Sequence, residues 1–171
     1  MTGVIARLLQ LLLVTGTQRI GRRPAEHRRG HDFHAGASPD GEIRPGCHHL
    51  RMPNILIVDD HPAFRLEARQ LLQAEGFTVI GEAADGQAAL SLATRQRPDI
   101  LLLDIGLPDI DGFAVADRLA ALHPSISVIL TSSRDESIYG ARIRHASSLG
   151  FLRKDELSGD AIRQLMGAAR G

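Results

Sequence analysis

The chain has 171 residues, enough for one ordinary domain with a sizeable core, and its formal charge of zero hides an asymmetry. Residues 1–51 hold eight arginines against four acids, and residues 52–171 hold twelve basic residues against sixteen acids. A lone cysteine, Cys47, excludes an intramolecular disulfide, and the apolar stretch Val4–Val14, broken by Arg7 and Gln10, falls well short of the ~20 apolar residues that span a membrane.

That stretch also lacks a preceding charge and an A-x-A-like cleavage site, so export is not expected and a reducing, cytoplasmic setting suits the chain. From Gly16 to Arg51 the sequence is rich in Gly, Pro, Arg and His and has no apolar period of 2 or 3.6. Such a segment cannot bury enough to offset its ordering entropy, so 1–51 is expected to be a disordered basic extension. "HDFH" (His31 to His34) and "CHH" (Cys47 to His49) match no standard zinc spacing. Met52 stands two residues before the first strand and could mark the start of the native protein, with the domain covering 52–171.

The pattern then turns regular. "NILIV" predicts a strand, and "HPAFRLEARQLLQAEG" a helix with Pro62 in its first turn. Phe64, Ala68, Leu71 and Leu72 share a face of that helix, and Gly76 can close it. "FTVIG" is a short strand, and "ADGQAALSLATRQR" a second helix opened by Asp85. "PDILLLD" is an apolar run that ends in Asp104, followed by the helix "DGFAVADRLAALH" with Asp111 as N-cap. "ISVILTSS" is a fourth strand and "DESIYGARIRHA" a weaker fourth helix. "LGFLRK" is a fifth strand and "LSGDAIRQLMGAAR" an amphipathic closing helix. Strands 1, 3 and 4 are apolar throughout, as in a parallel sheet covered on both faces. The fold class is α/β, a doubly wound five-stranded parallel sheet.

In such sheets, ligands sit beyond the carboxyl ends of the strands. Asp59 and Asp60 end strand 1, Asp104 ends strand 3, Thr131 ends strand 4, and Lys154 follows strand 5. Three carboxylates at one sheet edge are hard to keep ionised together without a cation. An oxygen-rich site that keeps several waters suits Mg²⁺. Lys154 and the Thr131 hydroxyl then offer a charge and a donor to a phosphoryl group. Taken singly, each residue has a plainer reading as a helix cap, a structural threonine or a surface charge. Lys154 is the only lysine among nineteen arginines. Read as a surface ammonium, it should matter more for a response to phosphate than for folding.

Residues 53 to about 170 resemble the receiver domain of bacterial two-component response regulators. The resemblance is carried by "VDD" (Val58 to Asp60), "LLLDIGLPDIDG" (Leu101 to Gly112), Thr131 and "GFLRK" (Gly150 to Lys154). It implies the flavodoxin-like (βα)5 fold, with Asp104 as phosphoacceptor. It implies further that Asp60 and Asp104 bind Mg²⁺ directly, Asp59 through a water, and Gly106 by its backbone carbonyl. Thr131 would bond a phosphoryl oxygen, Lys154 would pair with the phosphate, and Phe151 holds the aromatic switch position. Asp155 stands where many receivers have proline, and Leu107 replaces a common methionine. Gly106 and Ser133, both small, occupy positions whose side chains modulate hydrolysis of the acyl phosphate.

The implied activity is self-phosphorylation and signalling rather than turnover of a separate substrate. The implied donor is a sensor histidine kinase or phosphotransfer protein. The implied downstream partner is a protein, reached through the face of the fourth helix, fifth strand and fifth helix; a homodimer is also compatible. "VDDHPAFR" leans towards the subfamily that usually carries a helix-turn-helix output domain. The chain runs only seventeen residues past Lys154, so a stand-alone, chemotaxis-regulator-like receiver is expected. DNA binding is not expected without an output domain, direct binding by the Arg-rich tail being the minor alternative. A truncated DNA-binding transcriptional regulator is the alternative. An aspartyl-nucleophile phosphatase of the haloacid dehalogenase type would need a second Asp where Gly106 stands. A nucleotide-binding domain would need glycines where Asp59, Asp60, His61 and Pro62 stand.

Overall fold

Ile55 to Val58, Ile100 to Leu103 and Val128 to Leu130 are continuous apolar runs, and in the computed structural model they form the central strands of a parallel sheet. The structure describes residues 52–168. The expected basic extension over 1–51, the His31–His34 and Cys47–His49 clusters, and the end of the closing helix past Ala168 lie outside the described residues.

The strands are β1 (Asn54–Val58), β2 (Thr78–Ala83), β3 (Ile100–Asp104), β4 (Ser127–Ser132) and β5 (Gly150–Arg153). They lie in the order β2-β1-β3-β4-β5, all parallel. The helices are α1 (Pro62–Ala74), α2 (Gly86–Gln96), α3 (Gly112–Leu122), α4 (Ala141–His145) and α5 (Gly159–Ala168).

Successive strand side chains point to opposite faces, so each apolar run feeds two cores. Leu56, Val58, Leu101, Leu103, Val128 and Leu130 pack with Ala89 and Ala93 of α2 and with Phe113, Val115, Ala116 and Leu119 of α3. Ile55, Ile57, Ile100, Leu102 and Ile129 pack on the other face with Ala68, Leu71 and Leu72 of α1 and Ile162 of α5. Each such fully buried Leu or Ile contributes about 1.5–3 kcal/mol. The doubly wound, flavodoxin-like architecture follows.

Local signals set the helix ends. Gly76, at φ 90°, closes α1: its N–H donates to Gln73, and the Phe77 N–H donates to Leu72. The Asp85 carboxylate accepts from the Ala88 N–H at 2.7 Å, and that of Asp111 from the Phe113 N–H at 3.0 Å. The fourth helix differs from expectation. "DESIYGARIRHA" forms a 3-10 turn (Glu136–Ile138) and then the five-residue α4. Gly140, at φ 52° and ψ −123°, separates the two, because that backbone geometry cannot continue a right-handed helix.

Candidate functional site

The carboxyl ends of β1, β3 and β4 and the turn after β5 meet at one edge of the sheet. Asp59 follows β1 and remains tied to the ladder through its N–H to Ala83. Its Oδ1 accepts from the His61 N–H at 2.9 Å, which turns the chain into α1 with Pro62 in the first turn. Arg65 straps this turn down. Its Nη1 donates to the Asp59 carbonyl at 2.7 Å and its Nε to Glu82 of β2 at 3.2 Å. Arg69 holds the other oxygen of Glu82 at 2.6 Å.

Asp104 is the last residue of β3, in register with Thr131 of β4. The loop after it folds back tightly, with the Gly112 N–H donating to Ile105 at 3.0 Å. A Cβ on Gly112 would sit 2.4 Å from the Asp104 carbonyl oxygen, so a side chain has no room there. Asp109 anchors the same loop to α2 by accepting from the N–H groups of Gly86 and Gln87. Those bonds, that from Gly86 foremost, hold its carboxyl below the usual range.

Lys154 opens a 3-10 turn after β5 (Lys154–Glu156). Its Nζ lies 3.1 Å from Asp104 Oδ1 and 2.5 Å from Asp59 Oδ2, over the face of Phe64. The side chain is 12% exposed, so the sequence reading of an open surface ammonium is corrected: Lys154 is an enclosed cation. Asp104 is raised above the ordinary aspartate range. Burial is the main cause, the charges of Asp59 and Asp60 add to it, and Lys154 opposes it.

Every expected site residue except Phe151 lies at this edge. Asp59 is fully buried, Asp60 is half-buried, and Gly106 is exposed in the loop after Asp104. Thr131 is buried, and its hydroxyl has no hydrogen-bond partner. An unsatisfied buried hydroxyl costs about 1–3 kcal/mol, and an arriving acceptor would recover it. Phe151 lies in β5 one strand over, with its ring 6.1 Å from Tyr139.

Asp59 Oδ2 and Asp60 Oδ1 are buried and also lack hydrogen-bond partners. The Lys154 ammonium and the His61 ring approach these oxygens closely, but not along hydrogen-bonding directions. Hard carboxylate oxygens left in this way fit a divalent cation such as Mg²⁺.

Three participants were missed by the sequence reading. His61 Nδ1 is 2.6 Å from Asp60 Oδ1. Arg65 has no local signal, because its partner Glu82 lies seventeen residues on. Ser132 Oγ lies 2.7 Å from the Tyr139 hydroxyl, and the Tyr139 ring packs between Phe113 and Phe151.

The family described as response regulator receiver domain matches residues 55–166. The nitrate/nitrite response regulator NarL of Escherichia coli is 37% identical over 120 residues, 68% of this chain and 55% of the relative. The virulence transcription regulator BvgA of Bordetella pertussis is 37% identical over 102 residues, 60% of this chain and 49% of the relative. This chain thus spans about half the length of the curated relatives it matches. Among solved structures, the signal receiver domain of NarL from Mycobacterium tuberculosis superposes with a TM-score of 0.61 at 33% identity, covering 70% of this chain and 98% of that one. No helix among the described residues is long and apolar enough to cross a membrane. Sequence, topology and relatives agree that this chain belongs to the receiver-domain family of two-component response regulators.

Proposed function

We propose that Asp104 accepts a phosphoryl group from a phosphohistidine of a sensor histidine kinase or phosphotransfer protein, in the cytoplasm. The observation that carries this reading is the position of Asp104: at the end of β3, against Lys154, and in register with a buried Thr131 hydroxyl that lacks a partner. A carboxylate oxygen of Asp104 attacks phosphorus, the P–N bond breaks, and the imidazole nitrogen leaves with the electron pair. Lys154 neutralises charge on the transferring group, and the Thr131 hydroxyl donates to one of its oxygens.

Asp60, Asp104 and the Gly106 carbonyl would hold Mg²⁺ directly, and Asp59 through a water. Bound there, the ion supplies charge neutralisation for the phosphoryl oxygens. Burial favours the protonated form of Asp104, so Lys154 also serves to keep the nucleophile ionised.

The aspartyl phosphate then draws Thr131 inward and lets Phe151 turn, changing the face of α4, β5 and α5. That face would meet a downstream protein or a second copy of the chain. The similarity to relatives named as transcription regulators supports a second reading, in which this receiver controls a DNA-binding unit.

Incubation with acetyl phosphate and Mg²⁺, followed by Phos-tag electrophoresis, tests the assignment. The parent should give a retarded band and Asp104→Ala none. An undiminished band from the variant would place the phosphate elsewhere.

A further inference from the structure

His61 has no part in the transfer described above, yet it sits at the site. Its Nδ1 is 2.6 Å from Asp60 Oδ1 and 3.3 Å from Asp59 Oδ1, and the ring is 70% exposed. One donor atom from each of Asp59, Asp60 and His61 falls within 4.8 Å of the others. The position is built rather than incidental. His61 is the residue that opens α1, its N–H is held by Asp59, and Pro62 fixes the next φ. Asp59 is fully buried, and Asp60 Oδ1, the oxygen that the His61 ring approaches, is buried with no hydrogen-bond partner.

Two ligands on adjacent vertices of an octahedron, about 2.1 Å from one ion, stand about 3 Å apart. His61 Nδ1 and Asp60 Oδ1, at 2.6 Å, stand slightly closer than that edge, and a small turn of the exposed ring would open the pair to it. Imidazole nitrogen suits borderline ions such as Mn²⁺, Co²⁺ and Zn²⁺, whereas Mg²⁺ prefers oxygen.

We propose that His61 is a nitrogen ligand of this acidic site, giving it a mixed nitrogen–oxygen donor set that favours borderline divalent ions. The proposal rests on the reading of Asp59 and Asp60 as a cation site. The plainer role for His61 is to pack against Asp60 and orient it, which would affect every ion alike. Nearly all sites bind Co²⁺ better than Mg²⁺, so the preference itself decides nothing. The informative quantity is the change in the Co²⁺-to-Mg²⁺ ratio when the imidazole is removed.

The full chain, His61→Ala and Asp60→Asn should be titrated calorimetrically with MgCl₂ and with CoCl₂, and the cobalt absorption band recorded. Asp60→Asn sets the background, because residues 1–51 carry five further histidines and Cys47. The expected result is an about tenfold loss of site-specific Co²⁺ affinity in His61→Ala, with Mg²⁺ affinity changed less than about twofold, and a cobalt band altered as nitrogen is replaced by water. Equal losses for both ions, or an unchanged Co²⁺ affinity, would overturn the proposal. His61-dependent Co²⁺ binding without any Mg²⁺ binding would overturn the Mg²⁺ reading and leave this one standing. A parent that binds neither ion at this site overturns both.

Discussion

The Lys154 ammonium lies 3.1 Å from Asp104, and the same nitrogen also contacts Asp59, so one enclosed cation serves two carboxylates. Removing it leaves those carboxylates to repel each other. Lys154→Ala should therefore cost about 1–3 kcal/mol, somewhat below the ~3–5 kcal/mol of breaking a fully buried pair. Lys154→Arg keeps the charge, but a planar fork cannot take the place of a compact ammonium. It should stay within about 1 kcal/mol of the parent in stability while failing to respond to beryllofluoride. Thermal melts give the first quantity, and amide exchange across α4 and β5 gives the second. A variant that switches like the parent would remove Lys154 from the response.

Asp104 predicts a pH dependence of defined sign. Burial raises its folded-state affinity for a proton above the ordinary value of 3.8, so ionising it costs folding free energy. The cost is absent below the ordinary value, appears as pH rises through the folded one, and is complete above it. Asp104→Asn carries no charge and should melt a few degrees higher than the parent at about pH 7 in EDTA, with the gain fading on acidification. Adding Mg²⁺ to the parent should narrow the gap. A constant difference across the range would mean that ionisation of Asp104 is not its source.

Arg65 links three places, and neither a shorter nor a differently shaped side chain can do the same. Arg65→Ala should cost about 1–3 kcal/mol, since it frees the Asp59 carbonyl and half of the Glu82 clamp. Arg65→Lys should recover little, because one ammonium cannot reach both partners in the geometry of a guanidinium. Urea unfolding of the two variants checks this, and near-parental stability of Arg65→Lys would contradict it.

Two glycines should give opposite signs for the same chemical change. Gly112→Ala drives a methyl group onto the backbone at Asp104 and Ile105, neither of which can yield without moving the site. It should cost about 3 kcal/mol or more and slow phosphorylation of Asp104. Gly167→Ala, in α5 with nothing within 4 Å, should stabilise by about 0.5–1 kcal/mol. Paired denaturation curves settle both.

The five βα units were legible because the central apolar runs feed two cores and the first three helices are marked at their starts, by Pro62, Asp85 and Asp111. The gathering of Asp59, Asp60, Asp104, Thr131 and Lys154 was legible because a parallel sheet sends every strand's carboxyl end the same way. The hidden features depend on distance in sequence or on a single torsion. Gly140 divides the fourth helix, and a glycine inside a helical pattern only lowers the propensity without announcing a break. The Arg65–Glu82 and Ser132–Tyr139 contacts arise from tertiary proximity, and the enclosure of Lys154 depends on Phe64 arriving from another element.

The way α5 is fastened sets when the domain can close during synthesis. The Gly159 N–H bonds to Glu75, 84 residues earlier, and Arg163 donates to the Glu75 carbonyl across 88 residues while its guanidinium covers Phe77. Leu157 and Ile162 bury in the same cluster as Ile55, Ile57, Leu71 and Leu72. One side of the sheet therefore lacks part of its cover until the chain has grown past Ile162, while α2 and α3 dress the other side much earlier. At roughly 5–20 residues per second, the nascent sheet carries a half-covered apolar face for seconds. Contacts of such long sequence separation also slow closure once the chain is complete. Folding of this receiver is thus a race between the arrival of its last helix and the association of half-covered sheets, and chaperone demand should fall on nascent chains that stop short of Gly159.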